Sequence, residues 1–156
     1  MVQSSKKFIL TEQGLAHLKN EYKVLVTVKR QAISQRIKTA REFGDLSENS
    51  EYDAAKDEQT LIEGRIAELE TVLGRAQLIE PVKSTDFVVI GSTVVVDIDG
   101  EVDEFTIVGT MEADPAARKI SNESPVGSAI LGAKVGDVVE ATTPIVRAKY
   151  KILEIK

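Results

Sequence analysis

Arg41-Glu42-Phe43-Gly44-Asp45-Leu46-Ser47-Glu48-Asn49-Ser50-Glu51-Tyr52 lies between two long stretches of helical periodicity and carries the only glycine for some distance on either side. Gly44 enters positive-φ conformations at little steric cost, so the chain is expected to reverse there. Two acids, Asp45 and Glu48, follow three residues apart. If the second helix begins at once, both carboxylates fall on its first turn and face outward from the end of a hairpin. Negative charge concentrated at such a place calls for something positive to meet it.

Toward the N-terminus, Thr11 has the character of an N-cap, its hydroxyl accepting a backbone N–H of the first turn. Leu15, Leu18, Tyr22 and Leu25 then recur at alternating three and four spacing, followed by Ile33, Ile37 and Ala40. No proline interrupts residues 12–43. At 1.5 Å per residue the run makes a rod of about 45 Å, long for a globular core helix. Toward the C-terminus, Ala55, Gln59, Ile62, Ile66, Leu69, Leu73 and Ala76 follow an a/d heptad seam to about Ile79. Gly64 and Gly74 weaken that helix by roughly 1 kcal/mol apiece without breaking it. Each helix has one apolar seam, so the two are expected to pair as an antiparallel coiled-coil hairpin over residues 1–80.

Charge divides unevenly between the arms. Between residues 19 and 41 the first carries Lys19, Lys23, Lys29, Arg30, Arg36, Lys38 and Arg41 against Glu21. The second carries Glu51, Asp53, Asp57, Glu58, Glu63, Glu68, Glu70 and Glu80 against Lys56, Arg65 and Arg75. Ion pairs across the hairpin account for this. So does a basic flank that follows a phosphate backbone, with Arg36 and Arg41 the arginines nearest the turn. Both accounts hold if they apply to different residues.

Residues 81–86 read as a linker, and the pattern beyond it turns to β over residues 87–156. Thr93–Ile98 and Val102–Val108 flank Asp99-Gly100, a two-residue hairpin signal. Ser124-Pro125 reads as an N-cap with proline at the first helical position, and Gly132 as the stop of a short helix. Gly136-Asp137 makes a further turn, and Val146, Ala148, Tyr150 and Ile152 alternate as a closing strand. The fold class is therefore α+β: a long helical hairpin, then a small antiparallel β domain with one short helix.

Composition narrows the chemistry. A net charge of −5 over 156 residues argues against a free-standing DNA binder that relies on bulk positive charge. Without cysteine there are no disulfides or thiolate metal sites, and a lone His17 builds neither a histidine metal cluster nor a Ser-His-Asp triad. No apolar run reaches membrane-spanning length, and residues 1–10 lack a signal-peptide core, so a cytoplasmic location is expected.

Two readings of Asp45 and Glu48 stand. In the first they form a capping box, Asp45 accepting a first-turn N–H while Glu48 reaches back to the cap amide. In the second, two hard oxygen donors on a narrow probe share a Mg²⁺ inside another macromolecule's cleft. Mg²⁺ takes six oxygens, so the partner or its phosphates must supply the rest.

The same residues carry a resemblance. Arg41 to Tyr52, continued by Asp53-Ala54-Ala55 and Glu63-Gly64-Arg65-Ile66, resembles the signature of the bacterial Gre transcript cleavage factors, the GreA/GreB family. Ser124-Pro125-Val126-Gly127-Ser128-Ala129-Ile130-Leu131-Gly132 is similar to that family's second signature. The likeness runs from about Leu10 to the end and favours the GreA branch, GreB hairpins tending to a larger basic patch. It implies a coiled coil that enters the secondary channel of a backtracked RNA polymerase and an FKBP-like C-terminal domain that grips the channel rim. Asp45 and Glu48 match the acidic pair that helps hold the polymerase's second Mg²⁺ and position the attacking water near the nascent RNA 3′ end. Ser121, Glu123 and Pro125 carry over to the rim contact. The implied factor is a monomer and not itself an enzyme. It holds no cofactor alone and works with the Mg²⁺ of the polymerase active site. The family also includes channel-binding regulators that inhibit polymerase without stimulating cleavage, with more heavily acidic tips.

Phe43 stands where many relatives have His, and Ser50 where Ala is common. Phe43 is expected to pack under the turn, for its apolar character, the alternative being a contact with the polymerase, and Tyr52 to pack its ring at the hairpin neck rather than stack a base. Arg41 is expected either to brace Glu42 or Glu51 or to meet RNA phosphate. His17 is expected at the surface or in packing.

Overall fold

The computed structural model describes residues 6–44, 49–80 and 86–156. Its chain forms two compact units, one of residues 15–75 and one that joins residues 1–14 to residues 76–156. The sequence reading had placed the whole of 1–80 in the hairpin. The difference lies in two short strands, β1 (Phe8–Leu10) and β2 (Ala76–Leu78), which pair in parallel register, Phe8 with Ala76 and Leu10 with Leu78. The helix expected to run to about Ile79 therefore stops at Gly74. A glycine at that point weakens the last turn, and the backbone of Ala76 to Leu78 finds its partners in β1 instead.

The first helical run is continuous from Glu12 to Glu42. It comprises α1 (Glu12–Val24), a π-helical segment (Leu25–Lys29) and α2 (Arg30–Glu42). Thr11 caps it as expected, its Oγ1 accepting the Gly14 N–H at 3.0 Å. Glu112 reinforces that start, its carboxylate taking the Thr11 N–H at 2.8 Å and the Thr11 hydroxyl at 2.5 Å. A side chain at position 14 would collide with Glu112, so the glycine admits this contact.

After the turn, α3 (Ser50–Gly74) runs for 25 residues, about 37 Å at the usual rise. Ile33, Ile37, Ala55, Ile62 and Ile66 form the buried seam of the hairpin, with Tyr22, Leu25, Val26 and Tyr52 packed against it. The heptad reading holds through Leu69; beyond it Val72, not Leu73, is the buried residue. Among the described residues no helix is long and apolar enough to cross a membrane.

The β unit centres on a five-stranded sheet of order β5-β4-β3-β7-β6. Its strands are β3 (Thr93–Ile98), β4 (Glu101–Val108), β5 (Lys119–Ser121), β6 (Val138–Thr142) and β7 (Arg147–Ile155). All neighbours are antiparallel except β4 and β5. Asp99 and Gly100 both take positive φ, +54° and +92°, the geometry of the type I′ turn that the Asp-Gly pair signalled. The expected short helix is α4 (Pro125–Ile130), with Gly132 at φ +82° just beyond it. Val88, Val94, Val96, Phe105, Ile107, Ile130, Ala133, Ile152 and Ile155 make up the core. Ile152 and Ile155 are three apart, against strand alternation, because a bulge in the β3–β7 register passes over Leu153.

Candidate functional site

Asp45 and Glu48 lie outside the described residues, but the two chain ends that carry them are well defined. α2 ends with Phe43 as C-cap, its N–H reaching the Ala40 carbonyl at 3.3 Å. α3 begins at Ser50 with Asn49 as N-cap, its Oδ1 accepting the Tyr52 N–H at 3.1 Å. The first turn of α3 is thus Ser50 to Asp53, and the cap expected of Asp45 is supplied by Asn49. The Asn49 Nδ2 also donates to the Ala40 carbonyl at 2.7 Å, which ties the two arms together at the neck. The sequence reading had missed this residue, although Asn directly before a helical run is a readable cap signal.

Phe43 does not pack under the turn: its surface is 83% exposed. Ala40 and Ala55 are buried and Tyr52 packs against the hairpin seam. Phe43 instead borders a shallow depression lined with Ala32, Gln35, Thr39 and Asn49. Tyr52 meets its expectation. Arg41 lies with its guanidinium 5.8 Å from the centre of the Tyr52 ring, a cation–π distance. Glu51, a proposed partner of Arg41, is taken by Arg36.

Below the neck the charges interlock. Arg30 grips Glu63 with two bonds of 2.8 and 2.9 Å, and Arg65 grips Glu21 with two of 2.7 and 3.0 Å while reaching Glu68. Arg36 spans from Glu51, at 2.6 Å, to Glu58. These pairs bear out the cross-hairpin account of the charge asymmetry, and Arg36 has two carboxylates to satisfy before it can meet a phosphate. The Arg30 and Arg36 pairs are solvent-exposed and screened, while Arg65–Glu21 is partly buried; their collective role is registry of one arm on the other.

The same pairs fix a pH response. Hydrogen bonding to Arg65 holds Glu21 below the usual carboxylate range, against the opposing effect of its partial burial; Arg36 does the same for Glu51 and Arg30 for Glu63. Carboxylates depressed in the folded state contribute stability above their unfolded value, about pH 4.3, and lose it as pH falls through the folded value. The thermal midpoint of the helical circular-dichroism signal should therefore stay level from pH 7 to 5 and fall below about pH 4.3. Added salt should shrink the difference. A midpoint indifferent to acid would show the pairs to be idle.

In the β unit, Ser121 ends β5 and meets Glu123 directly. Glu123 donates its N–H to the Ser121 Oγ at 3.1 Å, and Thr110 joins both side chains, at 3.1 Å from Ser121 and 2.9 Å from Glu123. Because the Thr110 hydroxyl donates to the carboxylate, the Ser121 hydroxyl donates to Thr110. The Lys6 ammonium sits 2.8 Å from the other Glu123 oxygen, and these two contacts, Lys6 first, hold the Glu123 carboxyl below its ordinary range. Pro125 follows two residues on as N1 of α4, whose cap Ser124 accepts the Gly127 N–H at 3.0 Å. Ser121 and Glu123, carried over with Pro125 from the family likeness, thus meet directly, and Glu123 lines a cleft with Lys7, Phe8, Ile9, Met111 and Asn122. Lys6 and Thr110 line it too, and no local sequence signal points to either. Among the described residues, no group of three or more His, Cys, Asp or Glu stands close enough to hold a metal ion.

Comparison with known proteins converges on one family. The family model described as "Transcription elongation factor, N-terminal" matches residues 8–78. The model described as "Transcription elongation factor, GreA/GreB, C-term" matches residues 83–156. The transcription elongation factor GreA of Acetivibrio thermocellus is 53% identical, over 98% of each chain, and that of Clostridium kluyveri 52% identical, over 97% of each. Among solved structures, the GreA factor homolog 1 protein of Thermus thermophilus is 30% identical, covering 97% of this chain and 99% of its own, with a TM-score of 0.46.

Proposed function

We propose a function from one premise: the chain belongs to the GreA/GreB family of transcription elongation factors. As an accessory factor it works on RNA polymerase and, with it, in the cytoplasm. The helical hairpin enters the polymerase's secondary channel and brings Asp45 and Glu48 to the active centre of a backtracked complex. There the polymerase, stimulated by the factor, cuts its own transcript near the displaced 3′ end.

The observation that supports this reading most is the cap of α3. Asn49 is the N-cap of α3 and accepts the Tyr52 N–H, so the N-cap position does not fall to Asp45. Their donor chemistry suits Mg²⁺: two hard carboxylate oxygens, too few for a site alone, enough to complete one begun by the polymerase. Such a cation, when bound, stabilises charge on the attacking or leaving oxygen of phosphoryl transfer. What this chain does is bring negative oxygen ligands to that place and orient water. Arg30, Arg36 and Arg65 lock the two arms and keep the hairpin slender enough for a channel. The Ser121–Glu123–Pro125 surface serves as the grip at the channel rim.

The test is a stalled, backtracked transcription complex given the purified protein and Mg²⁺. Release of short 3′ RNA fragments, followed by renewed elongation, is expected. Slowed nucleotide addition on an active complex, with no fragment released, would replace this reading with that of a channel-blocking inhibitor.

A further inference from the structure

We infer that Asn49 is a positioning residue for the tip: a clamp that sets the spacing of the two chain ends from which Asp45 and Glu48 hang. The inference rests on the function proposed above and adds a residue to it. One carboxamide makes two bonds with different jobs. Its oxygen takes the Tyr52 N–H, an orphan donor of the first helical turn, and its nitrogen gives a proton to the Ala40 carbonyl across the neck. Chemistry fixes the amide's orientation, since an N–H must meet the oxygen and a carbonyl must meet the NH₂. The Ala40 carbonyl also accepts from the Phe43 N–H, so the bond joins the last turn of α2 to the cap of α3. A helix cap alone needs only an oxygen, and Asp or Ser would serve. The donor is the part that capping does not explain.

Ser at this position keeps an oxygen for Tyr52 but is too short to reach Ala40. Asp keeps the shape but sets an oxygen against the Ala40 carbonyl. In Asn49→Ser and Asn49→Asp, α3 should therefore remain capped, with the helical signal retained and a thermal midpoint within a few degrees of wild type. Spin labels at Lys38 and Asp53, one on each arm, should give a narrow distance distribution in wild type. Asn49→Ser should broaden or displace it; an unchanged distribution would overturn the clamp.

Fragment release supplies the second readout. At saturating protein the rate should fall about tenfold in Asn49→Ser, while the concentration for half-maximal release stays the same. A simple loss of folding would move the midpoint and the half-saturating concentration instead. Wild-type release rates in both variants would overturn the inference. If wild type itself released no fragments, the proposed function would fall, while the spin-label distances would still decide the clamp.

Discussion

Gly127→Ala should cost the β unit about 3 kcal/mol, near the upper end of overpacking penalties. That lowers its thermal midpoint by about 15 °C for a domain of this size. The reason is a close approach. A Cβ at position 127 would overlap the backbone carbonyl of Ser121, and would press on the Ser124 hydroxyl as well. That carbonyl cannot give way cheaply, because it accepts both the Ser124 N–H at 3.0 Å and the Ser124 hydroxyl at 2.7 Å. Moving it undoes the cap of α4, while Ile130 of the same helix is fully buried in the core. Differential scanning calorimetry with amide exchange along β5 measures the effect. Gly64→Ala is the counter-case: an added Cβ there meets nothing within 4 Å, on an exposed face of α3. It should stabilise the hairpin by about 1 kcal/mol, since alanine loses less conformational freedom on entering a helix. Equal stability of Gly127→Ala and wild type would mean that the helix does not approach Ser121 so closely.

Periodic features were legible from the chain. The hairpin seam from Ile33 to Leu69, the Asp99-Gly100 turn and the Ser124-Pro125 cap all rest on local chemistry that repeats wherever those residues recur. What was missed depends on partners distant in sequence. Phe8 to Leu10 become a strand only because Ala76 to Leu78 lie beside them, and a three-residue strand has no period to read. The π-helical segment from Leu25 to Lys29 has the composition of ordinary helix. Phe43 departs from the packing expectation because apolar character alone argues for burial, and apolar character does not say where a side chain lies. Ser121, Glu123 and Pro125 come from family likeness; the tie of Ser121 and Glu123 to Thr110, and of Glu123 to Lys6, emerges only when residues far apart in the chain meet. The acids at the tip stand out by their spacing, but spacing does not place the helix start, since Asp45 and Asn49 are both acceptable caps and local preference does not rank them.

Asp45→Asn and Glu48→Gln should each reduce fragment release about a hundredfold, the upper end of the loss usual for groups that support a metal's ligands. Both substitutions are nearly isosteric, and both remove a negative oxygen donor while keeping a neutral one. If the acids complete a Mg²⁺ shell, the lost charge weakens cation binding, and raising the Mg²⁺ concentration should recover part of the rate by mass action. Affinity for the polymerase, measured by competition with wild type, should hardly change, because the grip assigned to the Ser121–Glu123–Pro125 surface is untouched. Helicity and thermal midpoint should not change either, since Asn49 caps α3. That last expectation separates the two meanings of an acidic pair near a helix start. Were the carboxylates only capping groups, release would decline in step with the helical signal, and added Mg²⁺ would restore nothing. Were they idle, both variants would cleave at the wild-type rate, and the hairpin would need another reason to carry negative charge at its end.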